Sequence, residues 1–192
     1  MGNIKIILLC STGFALPAIR ELAFFNILAA VAIPRHCDEM IENMDVVLTG
    51  TGIPVIELDK ETFADRIRET IEENEVNLGL VMTFPYKIPS SVYEVPSKGF
   101  YNIHPGPLPQ YRGNDPVFHQ LKNKEKQAGV TIHKLDEEIN TGPLVMNEML
   151  KIDPSDTYDL LTTKLANLAA KLTGIVVKLV SFDIPIPSRP QH

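Results

Sequence analysis

Only two cysteines occur in this chain, Cys10 and Cys37, and their spacing makes no thiolate metal site. Thiols used this sparingly imply a reducing compartment, and the chain is read as cytoplasmic. A basic surplus is also missing: 18 Lys and Arg stand against 24 Asp and Glu, for a net charge of −6. Duplex or tRNA phosphate needs a basic face, so extended nucleic-acid contact is not expected. Long apolar runs are missing too. The stretches "IKIILLC" and "FFNILAAVAI" fall well short of the ~20 residues that span a bilayer. The first also lacks the basic start and small-residue cleavage site of a secretory signal. Both read as buried strands, and no membrane contact is expected. The turn "CSTGF" holds the lone Gly13 where a dinucleotide site would carry GxGxxG. His104, His119 and His133 show no metal-ligand spacing, and no metal is expected.

What is present is ordinary globular material: 192 residues, 44% of them apolar and 22% charged, enough for one compact core. Strands and helices alternate along it. Ile4–Cys10 is a continuous apolar run of the kind a strand covered on both faces shows. Ser11 or Thr12 can cap the helix that follows, with Pro17 in its first turns. Ile27–Ile33 is a second strand, and "DEMIENMDVVLTGTG" a helix stopping at Gly50. "IPVIEL" follows as a third strand. Phe63, Ile67 and Ile71, spaced i, i+4, i+8, mark a helix in "KETFADRIRETIEENE". "VNLGLVMTF" and "GFYNIH" are strands four and five, and "PVFHQLKNK" a short helix. "GVTIHKL" and "PLVMNEML" form a strand pair. A last helix begins near Pro154 and puts Leu161, Leu165, Leu168, Leu172, Ile175 and Leu179 on one face. Alternation of this kind predicts a doubly wound, mostly parallel α/β sheet flanked by helices. With no repeat, low-complexity tract or linker, residues 1–182 read as a single domain, and 183–192 as a proline-rich tail with no core to join.

In doubly wound sheets, ligands sit beyond the carboxyl ends of the strands, near the point where strand order reverses. "TFP" closes the fourth strand there and "NIHPGP" the fifth. Asn102 and His104 alternate along the strand end, so an amide and an imidazole point to the same side. Pro105, Pro107 and Pro109 then stiffen the exit path. The acidic stretch from Asp136 to Asn140 follows a later strand and precedes Gly142-Pro143, which makes it a candidate wall of the same crevice.

The segment "NIHPGPLPQYRG" resembles the signature of the folate-dependent formyltransferases, written loosely as N-x-H-x-S-x-LP-x-x-x-G. "GVTIHKLDEEINTGP" is similar to that family's second signature. "LVMTFPYKIP" resembles its folate-side segment, and "IKIILLCSTGFALPAIREL" the opening of its methionyl-tRNA branch. The resemblance runs from about residue 3 to about residue 150. It implies a Rossmann-like catalytic domain that moves a formyl group from 10-formyltetrahydrofolate to a primary amine. By motif, Asn102 and His104 would flank the formyl carbon. The amide and an imidazolium would donate to the oxyanion that forms when the amine attacks. Asn140 falls on the family's catalytic aspartate. The backbone of Phe84, Tyr86, Lys87 and Ile88, facing Asp136, Glu137 and Glu138, would line a slot for the flat pterin.

Three departures bear on this. Asn140 cannot accept a proton as the family's aspartate does, and a general base typically contributes about 10²–10⁴-fold. Gly106 replaces the family's serine and Pro107 its leucine, and Pro85 stands where relatives often have glycine in the folate-side loop. A low-activity folate-binding or regulatory protein on the same fold is therefore the alternative expectation, whereas an active enzyme would use Asp136, Glu137 or Glu138 as the substitute carboxylate. The acceptor stays open among a small amine, an amino sugar, glycinamide ribonucleotide and aminoacyl-tRNA. The resemblance implies an end near that of the catalytic domain in the methionyl-tRNA branch, and no counterpart of that branch's basic second domain is expected among these residues. "CSTGF" also lacks the glycine-rich turn that holds phosphate in the glycinamide ribonucleotide branch.

Overall fold

The structure, a computed structural model, describes residues 4–191. Residues 1–3 and 192, which the sequence reading assigns to the start of the domain and the end of the tail, lie outside the described residues.

Strand β1 (Ile6–Cys10) is apolar throughout and fully buried. Its alternate residues serve two cores. Ile6, Leu8 and Cys10 face one, and Ile7 and Leu9 face the other, as the two-residue period of a strand requires. β4 (Leu78–Met82) is buried in the same way. Around this pair lie β2 (Leu28–Pro34), β3 (Val55–Leu58), β5 (Phe100–His104), β6 (Gln127–Lys134) and β7 (Leu144–Lys151). They form one seven-stranded sheet in the order β3-β2-β1-β4-β5-β6-β7. The first five strands are parallel, and β6 and β7 run antiparallel. This is the expected doubly wound sheet.

Helices cover both faces. α1 (Leu16–Phe24), α2 (Asp38–Val47) and α6 (Tyr158–Ser181) close the first core, and α3 (Phe63–Glu73) with α4 (Ser90–Tyr93) the second. In α3 the predicted stripe is present, with Ile67 and Ile71 buried and Phe63 packed at the margin. At Gly79 a Cβ would land inside the Phe100 ring, so only glycine lets that ring lie flat against β4.

Three local expectations are corrected. Helix α6 begins at Tyr158, where the Thr157 hydroxyl accepts from Leu160 N at 3.2 Å, because a threonine side chain supplies the cap that Pro154 cannot. Its buried face runs Leu161, Leu165, Leu168, Leu172, then Val176 and Val180, leaving Ile175 exposed; a 3.6-residue repeat drifts off a fixed heptad line. Ser11 and Thr12 cap nothing. Ser11 donates to the Thr83 carbonyl, and the Thr12 and Thr83 hydroxyls meet at 2.8 Å, tying the ends of β1 and β4 together at the switch point. The tail does find a core. Ile186 packs against it, and Arg189 exchanges backbone hydrogen bonds with Leu144, at 2.8 and 2.9 Å, beside the sheet edge. An unpaired β7 edge offers these partners, which proline content does not reveal.

Candidate active site

β5 delivers Asn102 and His104 to the sheet's carboxyl-terminal end. Its antiparallel neighbour β6 sets His133 directly opposite Asn102, and Thr131 opposite His104. Paired residues in such a ladder stand side by side, and the Asn102 amide nitrogen lies 3.0 Å from His133 Nε2. His133 Nδ1 is 2.7 Å from the Lys134 carbonyl. A carbonyl only accepts, so Nδ1 carries the proton and Nε2 of the neutral ring accepts from Asn102. The second hydrogen of that amide goes to Asn140 Oδ1, also at 3.0 Å. Asn102, His133 and Asn140 thus form one hydrogen-bonded cluster.

Asn140 is buried (8% exposed) and sits at φ 60°, in the left-handed region that asparagine tolerates better than most residues. Its carbonyl accepts from Arg112 Nε at 3.1 Å. His104, 5% exposed, donates Nε2–H to the Tyr111 carbonyl at 2.6 Å. Burial pushes its pKa from 6.5 down to about 4, with the Tyr111 carbonyl opposing and His133 adding to the shift. The expected imidazolium is therefore replaced by a neutral imidazole at pH 7, because desolvation of the charged ring outweighs a single carbonyl partner. His133 is likewise held below its usual value, first by burial and also by the Arg112 charge. Its hydrogen bond to the Lys134 carbonyl and the Asp136 charge act the other way.

The loop after β5 is held by more than its prolines. Thr131 donates to the Gly106 carbonyl at 2.7 Å and accepts from Leu108 N at 3.2 Å. Buried Gln120, from α5 (Pro116–Lys122), donates to the Pro105 carbonyl at 3.1 Å and accepts from Gly129 N at 3.3 Å. At Gly106 a Cβ would come within 2.9 Å of Pro116 Cβ and 3.1 Å of Tyr111 Cβ. The packing around Gly106 therefore leaves little room for a larger side chain at this position.

The two loops expected to hold a flat ring face each other. Lys87 reaches Glu138 at 3.9 Å, an exposed pair of little energetic weight but one that shows the loops are neighbours. Asp136 shapes its loop by accepting from Glu138 N at 3.2 Å and from the Thr141 hydroxyl at 2.8 Å. Glu137 and Glu138 are exposed, Lys87 is exposed and Ile88 is buried. The rings of Phe84 and Tyr86 pack edge to face at 5.3 Å and against Phe63 of α3.

Sequence reasoning missed His133, Thr131, Gln120 and Arg112. The first two carried a usable signal: in "GVTIHKL" they alternate on one face of a strand, as Asn102 and His104 do. Two cavities open beyond the ends of β1 to β3. One of about 390 Å³ is lined by Ser11, Thr12, Gly13, His36, Asp38 and Glu39 among others. A shallower one of about 500 Å³ involves Arg35, Lys60 and Tyr86. Neither includes Asn102, His104 or Asn140. The polar cluster, rather than concavity, marks the candidate chemistry.

A doubly wound sheet of this topology is shared with solved formyltransferases. The structure superposes on glycinamide ribonucleotide transformylase 1 from Symbiobacterium toebii with a TM-score of 0.82, at 18% identity, over 100% of this chain and 96% of that one. The formyl transferase family profile matches residues 47–177. The chain belongs to the formyl transferase family. It is 34% identical over 130 residues to the methionyl-tRNA formyltransferase of Kosmotoga olearia, covering 68% of this chain and 42% of that protein. Against the methionyl-tRNA formyltransferase of Porphyromonas gingivalis it is 29% identical over 200 residues, covering 99% of this chain and 60% of the relative. The chain thus spans less than two thirds of the length of these relatives.

Proposed function

We propose that this chain transfers a formyl group from 10-formyltetrahydrofolate to a primary amine. The observation that carries the reading is the Asn102–Asn140 contact at 3.0 Å, which joins residues from the two family signatures in one cluster. The loops at 84–88 and 136–140 are the proposed donor slot: Lys87 of one reaches Glu138 of the other at 3.9 Å, and backbone amides and carbonyls exposed between them would suit a flat ring with polar edges. The bound folate supplies an activated formyl carbon.

Asn102, His104 and Asn140 act on the transfer. As the amine nitrogen bonds to the formyl carbon, charge grows on the formyl oxygen. Asn102 is the amide that meets it, by exchanging one of its present acceptors. Protonation of His133 favours that exchange, because a protonated ring no longer accepts from Asn102. The bond from the formyl carbon to the folate nitrogen then breaks, the amine gives up a proton, and the folate nitrogen gains one. His104 stays a neutral ring in this reading, its Nε2–H held by the Tyr111 carbonyl, and the amine's proton falls to a carboxylate. Asp136, the half-buried carboxylate nearest His133 in charge effect, is the substitute for the missing aspartate.

A small amine or amino sugar suits the acceptor side best. The cavity at Ser11–Gly13 is not lined by Asn102, His104 or Asn140, but it has no Lys or Arg around it, and if it receives the acceptor, Asp38 and Glu39 favour an ammonium over a phosphate there. Glycinamide ribonucleotide and aminoacyl-tRNA fit that lining less well.

A second reading is a folate-binding protein with little turnover. Asn140 supports it, since its amide fills the aspartate's place without accepting a proton. Incubating the protein with 10-formyltetrahydrofolate and a panel of amines, with detection of formylated product and released tetrahydrofolate, separates the two. Product with any amine supports the enzyme. Folate binding without product supports the second reading, and no folate binding removes both.

A further inference from the structure

We infer that the C-terminal segment carrying Arg189 and Gln191 is a strap that positions Asn140, acting through Arg112. Pro185, Pro187 and Pro190 fix φ along this segment and keep it extended. Its two backbone bonds to Leu144 register it against the outer edge of β7, and Ile186 anchors it on the core. This registration brings the Gln191 amide over the turn that carries Asn140. Gln191 Nε2 donates to the Gly142 carbonyl at 2.8 Å. Its Oε1 accepts from Arg112 Nη2 at 2.8 Å and from Nε at 3.3 Å. Arg112 in turn donates to the Asn140 carbonyl.

The strap therefore holds the turn at two points, directly at the Gly142 carbonyl and through the guanidinium at the carbonyl of Asn140 itself. Such a grip has a task, because Asn140 sits at φ 60°, a conformation that asparagine tolerates at small cost and that contacts on the adjoining carbonyls hold in one place. The turn also has little room to relax. A Cβ at Gly142 would collide with the Lys134 carbonyl and come within 3.3 Å of His133 Nδ1. Arg112 further links both halves of the site, since its chain neighbour Tyr111 supplies the carbonyl that orients His104. Arg112 and Gln191 are positioning residues: they touch backbone, and Asn140 does the work.

The catalytic consequence rests on the formyl-transfer reading, whereas the structural one does not. Amide hydrogen exchange on the full chain tests the latter. Gln191→Ala removes both of the strap's side-chain contacts. Arg189→Pro deletes the N–H that bonds to Leu144, while Arg189→Ala keeps both backbone bonds. Exchange at residues 136–142 is expected to rise about tenfold or more in Gln191→Ala and Arg189→Pro, with β1 and β4 as protected as before and Arg189→Ala like wild type. Unchanged exchange in Gln191→Ala overturns the strap, and that variant decides the matter if Arg189→Pro does not fold. With an active amine, Gln191→Ala is expected to lower kcat while leaving KM for folate unchanged. An unchanged kcat with a loosened turn overturns the positioning role. If the wild type transfers nothing, the activity reading fails while the exchange result still stands.

Discussion

Asn102 donates to Asn140 across 3.0 Å although the two are 38 positions apart in the chain. Its other amide hydrogen is taken by His133. Both donors of the side chain expected to meet the formyl oxygen are thus engaged at rest. Under the proposed transfer one of these hydrogen bonds is given up for the formyl oxygen, and the balance among them depends on what stands at position 140.

Replacing Asn140 by Asp supplies a carboxylate where an amide oxygen now accepts from Asn102. The rate on a competent amine should rise roughly 10²-fold or more, the usual scale of one positioned base, with folate affinity nearly unchanged. A nearby negative charge favours an imidazolium, so His133 should titrate at higher pH in the variant, measured by side-chain NMR. If the native form is already fast and Asn140→Asp changes nothing, Asp136→Asn should abolish the rate.

Asn102→Ala leaves the Asn140 oxygen and His133 Nε2 without their donor. Unmet buried acceptors cost roughly 1–3 kcal/mol, readable as a lower urea midpoint at unchanged slope. Formyl transfer should fall in parallel. An unaltered midpoint would show that solvent replaces both bonds freely.

Acidification should destabilise the protein in a defined window. His104 has a folded pKa of about 4 against an ordinary 6.5, so between those values the unfolded chain binds the proton and the folded one does not. Stability is then full above about pH 6.5 and falls as pH drops toward about 4, by at most roughly 1.4 kcal/mol per pH unit. His133, also depressed, acts in the same direction. Chemical denaturation from pH 7 to 4.5 measures the slope. His104→Gln should flatten it, and an equal slope in that variant assigns the effect elsewhere.

Gly142→Ala should push the turn off β6, because the added Cβ meets the Lys134 carbonyl. Overpacking of this kind costs typically 1–3 kcal/mol. Calorimetric titration with a stable reduced-folate analogue should show binding to the wild type and much weaker binding to the variant. No heat from the folded wild type at millimolar ligand counts against the slot between Lys87 and Glu138.

The order and type of the strands and helices, the parallel sheet, and the pairing of Asn102 with His104 on one side of a strand end were legible in the residues themselves. Each depends on the period of apolar positions or on spacing along a few neighbours. Membership of the family followed from two short signatures in order. Other features needed the folded chain. His133 is an unremarkable histidine until antiparallel pairing of β5 with β6 sets it against Asn102. Ser11 and Thr12 look like helix caps until β4 arrives beside β1 and Thr83 takes their hydroxyls. The tail looks solvated until the β7 edge gives Arg189 a partner and Arg112 gives Gln191 one. The charge of His104 is decided last, because desolvation is a property of everything packed around a ring, and no stretch of sequence encodes it locally.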